Sequence, residues 1–566
     1  MNARLTSHLP LLAQLRGYDA PMLRGDVIAG LSTAIMLIPQ AMAYAMLAGL
    51  DPIVGLYAST VPLAVYGLLG TSRQLSVGPV AMVSLLVASG VGVLAGGDAA
   101  AYAGLAALLA LMVGLMQWGM GIARLGFLVK FLSHPVISGF TSAAALVIAS
   151  SQLGHLLGVE LPRSHHVHEV VGHALQQLGE AHPPTLVISG LSLTFLLGAQ
   201  RWAPRLPRFL IVVATGIVAV WALGLQAQGV AIVGKVPEGL PSFALPTFDL
   251  ASVTALAPVA LTIALVGFME SVSVASQLAR THRYALDANQ ELVALGAANV
   301  AGSLFHGYPV TGGFSRTAVN DQAGARTGVA SLVTAGAIVL TLLFLTPLFT
   351  LLPKAVLASI ILTAVFGLID TAEARHLWHV SRSDLGLMAL TFVATLAIGV
   401  EEGILVGVAA SLVWFIWRTS KPHVAVLGRL PGTTLYRNVE RFPEAERDPH
   451  VVAVRLDAPL YFANTAFLKE TVEEVLSGAE VRNLVIDCAG IGSVDAQALA
   501  TLEELIADLG DRHIQLWLSS VRGPVRDAMR ASGLDQRLGP EHVVERVHDA
   551  VSRCSPPPLK IVGASA

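Results

Sequence analysis

The chain is short of charge and nearly without cysteine. Only 13% of its 566 residues are Asp, Glu, Lys or Arg, 54% are hydrophobic, and the mean hydropathy is +0.67. One soluble core could not hide that much apolar surface, so the composition excludes an ordinary soluble globular protein and indicates a multi-spanning membrane protein. The two cysteines, Cys488 and Cys554, both fall in the polar C-terminal part; they exclude a disulfide framework and fit a reduced cytosolic setting. A net charge of -3 argues against nucleic acid as a partner. There is no Gly-rich phosphate loop and no nucleophile-base-acid arrangement, so neither an enzyme nor a cofactor is expected. The Ser and His scattered through the apolar runs read as packing and helix-to-helix hydrogen bonds. Arg4, Arg16 and Arg24 precede the first apolar run, but no short apolar stretch with a small-residue cleavage site follows, so a removable signal peptide is not expected.

What is present divides near Lys421-Pro422. Before it, apolar runs alternate with short polar turns; after it, "HVVAVRLDAPLYF", "VRNLVIDCAG" and "HIQLWLSS" have strand character and each precedes a helical pattern, the signature of a small α/β domain. The expected organisation is a cytoplasmic N-terminal segment (1–25), a transmembrane domain (26–420), a linker (421–448), an α/β domain (449–555) and a tail (556–566). At about 20 apolar residues per crossing the transmembrane part holds about fourteen spans, two of them short and broken. Their centres are expected near Leu37, Leu63, Leu85, Ala110, Leu146, Ser192, Ala214, Val266, Ala297, Thr317, Ala337, Leu362, Ala394 and Leu412. One set of loops then carries nearly all the Lys and Arg, including Arg73, Arg124, Lys130, Arg205, Arg283, Arg326 and Arg382, while the alternate set has only Arg163, Lys235 and Lys354. By the positive-inside rule both termini and the α/β domain are cytoplasmic, which in a bacterial setting means a multi-pass inner-membrane protein bathed in lipid.

Sorted by depth, two ionisable side chains fall well inside predicted spans: Glu270 in "ALVGFMESVSVAS" and Arg316 in "GGFSRTAVN". A charge at that depth costs about 2.5 to 3.5 kcal/mol on insertion scales, so each needs water or a partner, and such residues mark transport sites by default. The blander possibility is a structural Glu-Arg pair stitching two helices.

Backbone breaks accompany the charges, and they come as a pair. "TSRQLSVGPVAMVSL" opens the third span with Gly78-Pro79, and "HGYPVTGGFSRTAVN" opens the tenth with Pro309, Gly312 and Gly313. Gly/Pro-interrupted spans at corresponding places in two halves point to a transporter site built on an inverted repeat. If both are half-helices with N-termini meeting near mid-membrane, their free N-H groups and positive dipole ends converge on one place, where an anion is favoured and Arg316 adds a full charge. Irregular backbone at that depth is tolerated only under protein or around a watered cavity. Packing kinks alone explain one such segment easily and the matched pair with an Arg poorly.

The strings "LRGDVIAGLSTAIMLIPQAMAYAMLAGLDPIVGLYAS", "LLGTSRQLSVGPVA", "ANQELVALGAANVAGSLFHGYPVTGGFSRTAVN" and "LDAPLYFANTAFL" with "LVIDCAGIGSVDAQAL" resemble the SulP family of anion permeases, the solute carrier 26 (SLC26) family of animals. The resemblance covers nearly the whole chain. It implies an α-helical polytopic membrane domain with a 7+7 inverted repeat divided into core and gate, elevator-type movement, homodimers and a C-terminal cytosolic STAS domain. Carried over by position, it implies an anion site of Gln40 and Tyr44 on the first span, Gly78, Pro79 and Val80 at the start of the third, and Phe314, Ser315 and Arg316 at the start of the tenth. Glu270 is the expected proton-coupling group. Like-charge repulsion between a carboxylate and a bound anion makes protonation and anion binding favour each other, the logic of proton symport. Family members that look sodium-driven carry Asp in this region, and Arg316 holding Glu270 ionised as a fixed pair is the competing account.

The STAS switch normally places a phosphorylatable Ser or Thr after the Asp that opens a helix; here Asp495 is followed by Ala496, so phosphorylation at that position is excluded. A dimer scaffold is the expected role, with any STAS partner unidentified. His155, His165, His166, His168, His173 and His182 cluster on the non-cytoplasmic side, but their spacing fits no tetrahedral metal site and a solvated loop is expected, with no metal.

The leading expectation is secondary active transport of a small inorganic oxyanion, sulfate first, by proton-coupled symport. Bicarbonate or C4-dicarboxylate transport, with sodium or by exchange, is the alternative at the same site. A membrane-anchored STAS signalling protein and a nucleobase carrier are the remaining readings.

Overall fold

In the computed structural model, residues 9–127, 133–161, 167–203, 206–237, 239–477 and 480–554 are described. Arg4, Lys130, Arg163, Arg205, His165, His166 and the 556–566 tail lie outside them. The chain forms two compact units, Met1–Ser411 and Leu412–Ala566, with the division inside the helix Val400–Ser420 rather than after it.

Each expected span centre lies in a helix. Among the described residues, eight helices are long and apolar enough to cross a membrane, and Ala81–Leu94, Arg208–Leu223 and Val329–Phe344 are shorter apolar helices. Seven elements position the site: α1 (Ala20–Leu47), β1 (Val77–Gly78), α2 (Ala81–Leu94), α3 (Leu250–Thr281), α4 (Ala288–Ser303), β2 (Thr311–Gly312) and α5 (Phe314–Gln322). Their starts follow local chemistry. Asp19 caps α1 by accepting from the Met22 amide, Asp249 caps α3 at Ser252, and Asp287 caps α4 at Asn289 and Gln290. Pro39 sits inside α1 directly before Gln40, where its missing N-H interrupts the helical ladder.

The third and tenth spans are short and broken, as the Gly and Pro predict: two residues of strand precede each half-helix. The break in the second span, between Pro52–Tyr57 and Val61–Leu69, was not expected. The His-rich segment differs from the expected solvated loop, because Val167–Gln176 is a helix with Val170 and Ala174 buried. His182 there is structural: its Nε2 donates to the Gln228 carbonyl at 2.9 Å and its Nδ1 bonds Thr185 Oγ1 at 2.9 Å.

The second unit holds a six-stranded sheet of β3 (Val424–Arg429), β4 (Tyr436–Asn438), β5 (Val451–Leu456), β6 (Asn483–Asp487), β7 (Gln515–Ser519) and β8 (Val543–Val544), in the order β4-β3-β5-β6-β7-β8. The strands β5 to β8 are parallel, and β3 runs antiparallel to both its neighbours. The 421–448 stretch expected as a linker therefore supplies two strands. Leu484, Ile486, Leu516 and Leu518 pack one sheet face against the helices Thr465–Leu476 and α6 (Ala496–Asp511), while Val485 and Trp517 pack the other against Val547–Cys554. Asp495 caps α6 by accepting from Ala498 and also accepts from the Phe462 amide, so the Asp opens a helix as expected, with Ala496 its first residue.

Candidate functional site

The two breaks meet. β1 and β2 pair antiparallel, Val77 opposite Gly312 and Gly78 opposite Thr311, and the Gly313 amide extends the ladder to the Ser76 carbonyl at 3.1 Å. α2 starts three residues beyond Gly78 and α5 two beyond Gly312, so the antiparallel crossing brings both helix N-termini beside one another. The cap residues are Val80 and Gly313, and neither supplies a side-chain hydrogen bond to its first turn. Amide donors and positive dipole ends therefore converge at the crossing.

Arg316 lies across it. Its Nη1 donates to the Pro79 carbonyl at 2.6 Å, so the third and tenth spans are joined by a guanidinium as well as by backbone. The side chain is 1% exposed, and its Nε and Nη2 have no hydrogen-bond partner among the described residues. Gly313 makes room for it: a Cβ there would stand 2.8 Å from Nη2 and 2.9 Å from Cζ. At φ -107° Gly313 needs no special backbone freedom, so space is what calls for glycine. Gly78 borders the same group, its virtual Cβ 3.5 Å from Nη2.

Gln40 and Tyr44, one turn apart on α1, are both buried; Tyr44 lies within electrostatic reach of Arg316 and Glu270, and both amide atoms of Gln40 lack a partner among the described residues. Phe314 and Ser315, by contrast, are exposed on the first turn of α5. Glu270 senses Arg316 electrostatically, yet its Oε2 is buried without a hydrogen-bond partner and Arg316 spends Nη1 on Pro79. The fixed Glu-Arg pair thus lacks the hydrogen bonds that would make it one.

The surroundings fix the crossing from several sides. Asn299 on α4 holds both polar groups of Val310, accepting from its amide at 2.8 Å and donating to its carbonyl at 3.0 Å. The Ser76 amide donates to Thr317 Oγ1, and Asn320 donates to the Gln74 carbonyl at 2.8 Å.

Two buried carboxylates, Glu291 and Asp26, carry no signal of their burial in the sequence. Glu291 on α4 accepts from the Thr71 amide (2.7 Å), Thr71 Oγ1 (2.5 Å), the Ser72 amide (3.0 Å) and the Tyr66 hydroxyl (2.6 Å). Asp26 on α1 accepts from the Arg326 amide (2.6 Å), the Thr327 amide (3.1 Å), Thr327 Oγ1 (2.6 Å) and the Tyr18 hydroxyl (2.9 Å). Full satisfaction is what lets a carboxylate be buried. One ties down the loop leading to β1, the other the loop leaving α5. Both sit near span ends, where sequence gives no sign that the side chain turns inward.

Comparison with known proteins agrees with this architecture. Residues 23–391 match the sulfate permease family and residues 442–550 the STAS domain. The chain is 42% identical to the chloroplastic sulfate transporter 4.1 of Arabidopsis thaliana over 94% of its own length and 80% of that protein. It is 39% identical to a probable sulfate transporter of Mycobacterium tuberculosis over 96% and 97%. Among solved structures, the murine solute carrier 26 family member A9 anion transporter in its inward-facing state superposes with a TM-score of 0.91 at 26% identity, covering 98% of this chain and 95% of that one.

Proposed function

The chain belongs to the sulfate permease family, as a transporter and not an enzyme with a C-terminal STAS domain, and from that premise we propose that it carries sulfate across the membrane by symport with protons. The observation that carries the proposal is the crossing itself: two helix N-termini and the half-free guanidinium of Arg316 gathered at one buried place. Such donors suit a compact, multiply charged oxyanion, because four oxygens can accept from amides and a guanidinium together. The sulfate transporters among its relatives support the choice of anion.

Val80, Gly313 and the first-turn amides of α2 and α5 supply the fixed partial charges; Arg316 supplies the full one; Gln40 and Tyr44 close the side toward α1. Ser315, exposed on the first turn of α5, offers a hydroxyl to the arriving ion. Glu270 is the proton carrier: neutralising it removes the repulsion it would exert on the bound anion, so each ligand favours the other. Because the crossing is bonded to α3, α4 and α5 at once, its natural movement is as a unit, which supports an elevator-type exchange between the two sides. The positive loops support cytoplasmic termini, and we assign the STAS unit the role of scaffold in a homodimer.

The test is uptake into proteoliposomes of labelled sulfate, bicarbonate, succinate and chloride under separate proton and sodium gradients. Sulfate uptake driven by an inward proton gradient is expected. Uptake of bicarbonate or succinate alone, or a response to sodium alone, would replace the reading.

A further inference from the structure

Ser271 and Thr311 lie where α3 meets β2, and both are fully buried. The Gly312 amide donates to Ser271 Oγ at 2.9 Å, the two hydroxyls are 2.7 Å apart, and Thr311 Oγ1 donates to the Gly267 carbonyl at 2.6 Å. A hydroxyl has one proton to give, and a carbonyl can only accept. Thr311 therefore spends its proton on Gly267, and the proton between the hydroxyls belongs to Ser271. The chain runs one way, from Gly312 N-H through Ser271 and Thr311 to the Gly267 carbonyl, with each bond polarising the next. A bare Gly267 leaves room for this contact: a Cβ there would stand 3.1 Å from Thr311 Oγ1 and 3.2 Å from Thr311 Cβ, close enough to push Thr311 aside by a few tenths of an ångström.

What this chain joins gives it a role. Ser271 directly follows Glu270, Gly312 directly precedes the cap of α5, and Thr311 is the register partner of Gly78 on β1. The immediate neighbours of the carboxylate and of both broken spans thus share one hydrogen-bonded relay. Resting on the proton-symport reading, we propose that Ser271 and Thr311 are positioning residues that hold Glu270 at a fixed separation from the anion cradle and thereby set how strongly protonation and anion binding affect each other. A Coulombic coupling depends on distance and on the intervening medium. If α3 slips against β2, water enters between charge and anion and the coupling falls, while the cradle, built from α2, α5 and Arg316, still binds.

Among the described residues few groups that titrate or carry charge lie near Glu270, and Tyr308, bonded to Ser84 Oγ at 3.1 Å, reaches Arg316 and Tyr44 electrostatically. Arg316 on α5 and Tyr44 on α1 are in electrostatic reach. The helix Ala99–Ile122 and α2 carry no acidic or basic side chain, Tyr102 gives its hydroxyl proton to the Ala48 carbonyl, and Glu291 of α4 is committed to the 71–72 loop.

The experiment is equilibrium binding of labelled sulfate to the purified full-length protein at pH 5.5 and 7.5, for the wild type, Thr311→Val, Thr311→Ser and Glu270→Gln. Thr311→Val keeps the shape and removes the hydroxyl; Thr311→Ser keeps the hydroxyl. The wild type should bind about tenfold more tightly at the acid pH, within the usual range of coupling between two sites. Thr311→Val should bring that ratio close to that of Glu270→Gln, with Thr311→Ser retaining the wild-type value. A Thr311→Val protein that keeps the full wild-type ratio overturns the inference and leaves proton symport standing. A wild type whose affinity ignores pH overturns both. Should Thr311→Val fail to fold, Gly267→Ala displaces Thr311 without deleting its hydroxyl and is judged by the same ratio.

Discussion

The Arg316 guanidinium donates to the Pro79 carbonyl oxygen at 2.6 Å, joining residues 237 positions apart across the place where two interrupted spans cross. That bond uses one nitrogen and leaves Nε and Nη2 buried without a partner among the described residues. It also means that Arg316 is oriented by the third span while belonging to the tenth.

Replacement of Arg316 is therefore expected to act on affinity. Arg316→Gln keeps one amide donor and loses one charge-assisted hydrogen bond worth about 1.5–3 kcal/mol, so the sulfate dissociation constant should rise about tenfold to a hundredfold. Arg316→Lys keeps the charge but not the planar fork, and should recover only part of the loss. Equilibrium binding of labelled sulfate reads both.

Gly313→Ala tests whether space at the cap, and not flexibility, is what the site needs. The added methyl would meet the guanidinium 2.8 Å away, and that group can swing aside, so folding should survive while sulfate affinity drops. Gly92→Ala, on α2 with nothing within 4 Å of the added carbon, is the control and should leave both affinity and melting temperature unchanged or slightly raised. Equal behaviour of the two variants would contradict the steric argument.

Glu291→Ala is expected to be a stability mutation. It strands the buried Ser72 amide and Tyr66 hydroxyl, at about 1–3 kcal/mol for each unsatisfied group, and the part-buried Thr71 amide at less. The melting temperature of the purified protein in detergent should fall well below that of the wild type, and Glu291→Gln should fall less. An unchanged Glu291→Ala would show that the 71–72 loop is held by something else.

Glu270→Gln separates binding from coupling. It mimics the protonated carboxyl at every pH, so sulfate uptake should lose its response to an imposed pH gradient while exchange of internal for external sulfate continues. A variant that retains the full gradient response would remove Glu270 from the mechanism.

How much of this was legible in the sequence depends on whether a residue announces its own depth. Gly78-Pro79 and Pro309-Gly312-Gly313 break their spans by their own chemistry, and Arg316 and Glu270 are visible because a charge in a long apolar run is costly wherever it faces. The β1-β2 register was not legible, since a two-residue strand has no periodicity to read. Glu291 and Asp26 escaped notice because their partners are loop amides 219 to 301 positions away, and a carboxylate near a span end looks the same whether it turns inward or to water. The pairing of Ser271 with Thr311 is not legible in the sequence, since a hydroxyl's task is set by which proton it gives and to whom. β3 and β4 passed as linker because the short "VAVLGR" and "YRN" segments acquire meaning only beside β5.

The most direct measurement is the position of the anion. A structure of the protein with selenate, located by its anomalous scattering, should place the selenium at the β1-β2 crossing, with oxygens in hydrogen-bond range of the first-turn amides of α2 and α5 and of the Arg316 guanidinium. Selenate bound elsewhere, with the crossing unchanged and the guanidinium making no contact to it, would contradict the account.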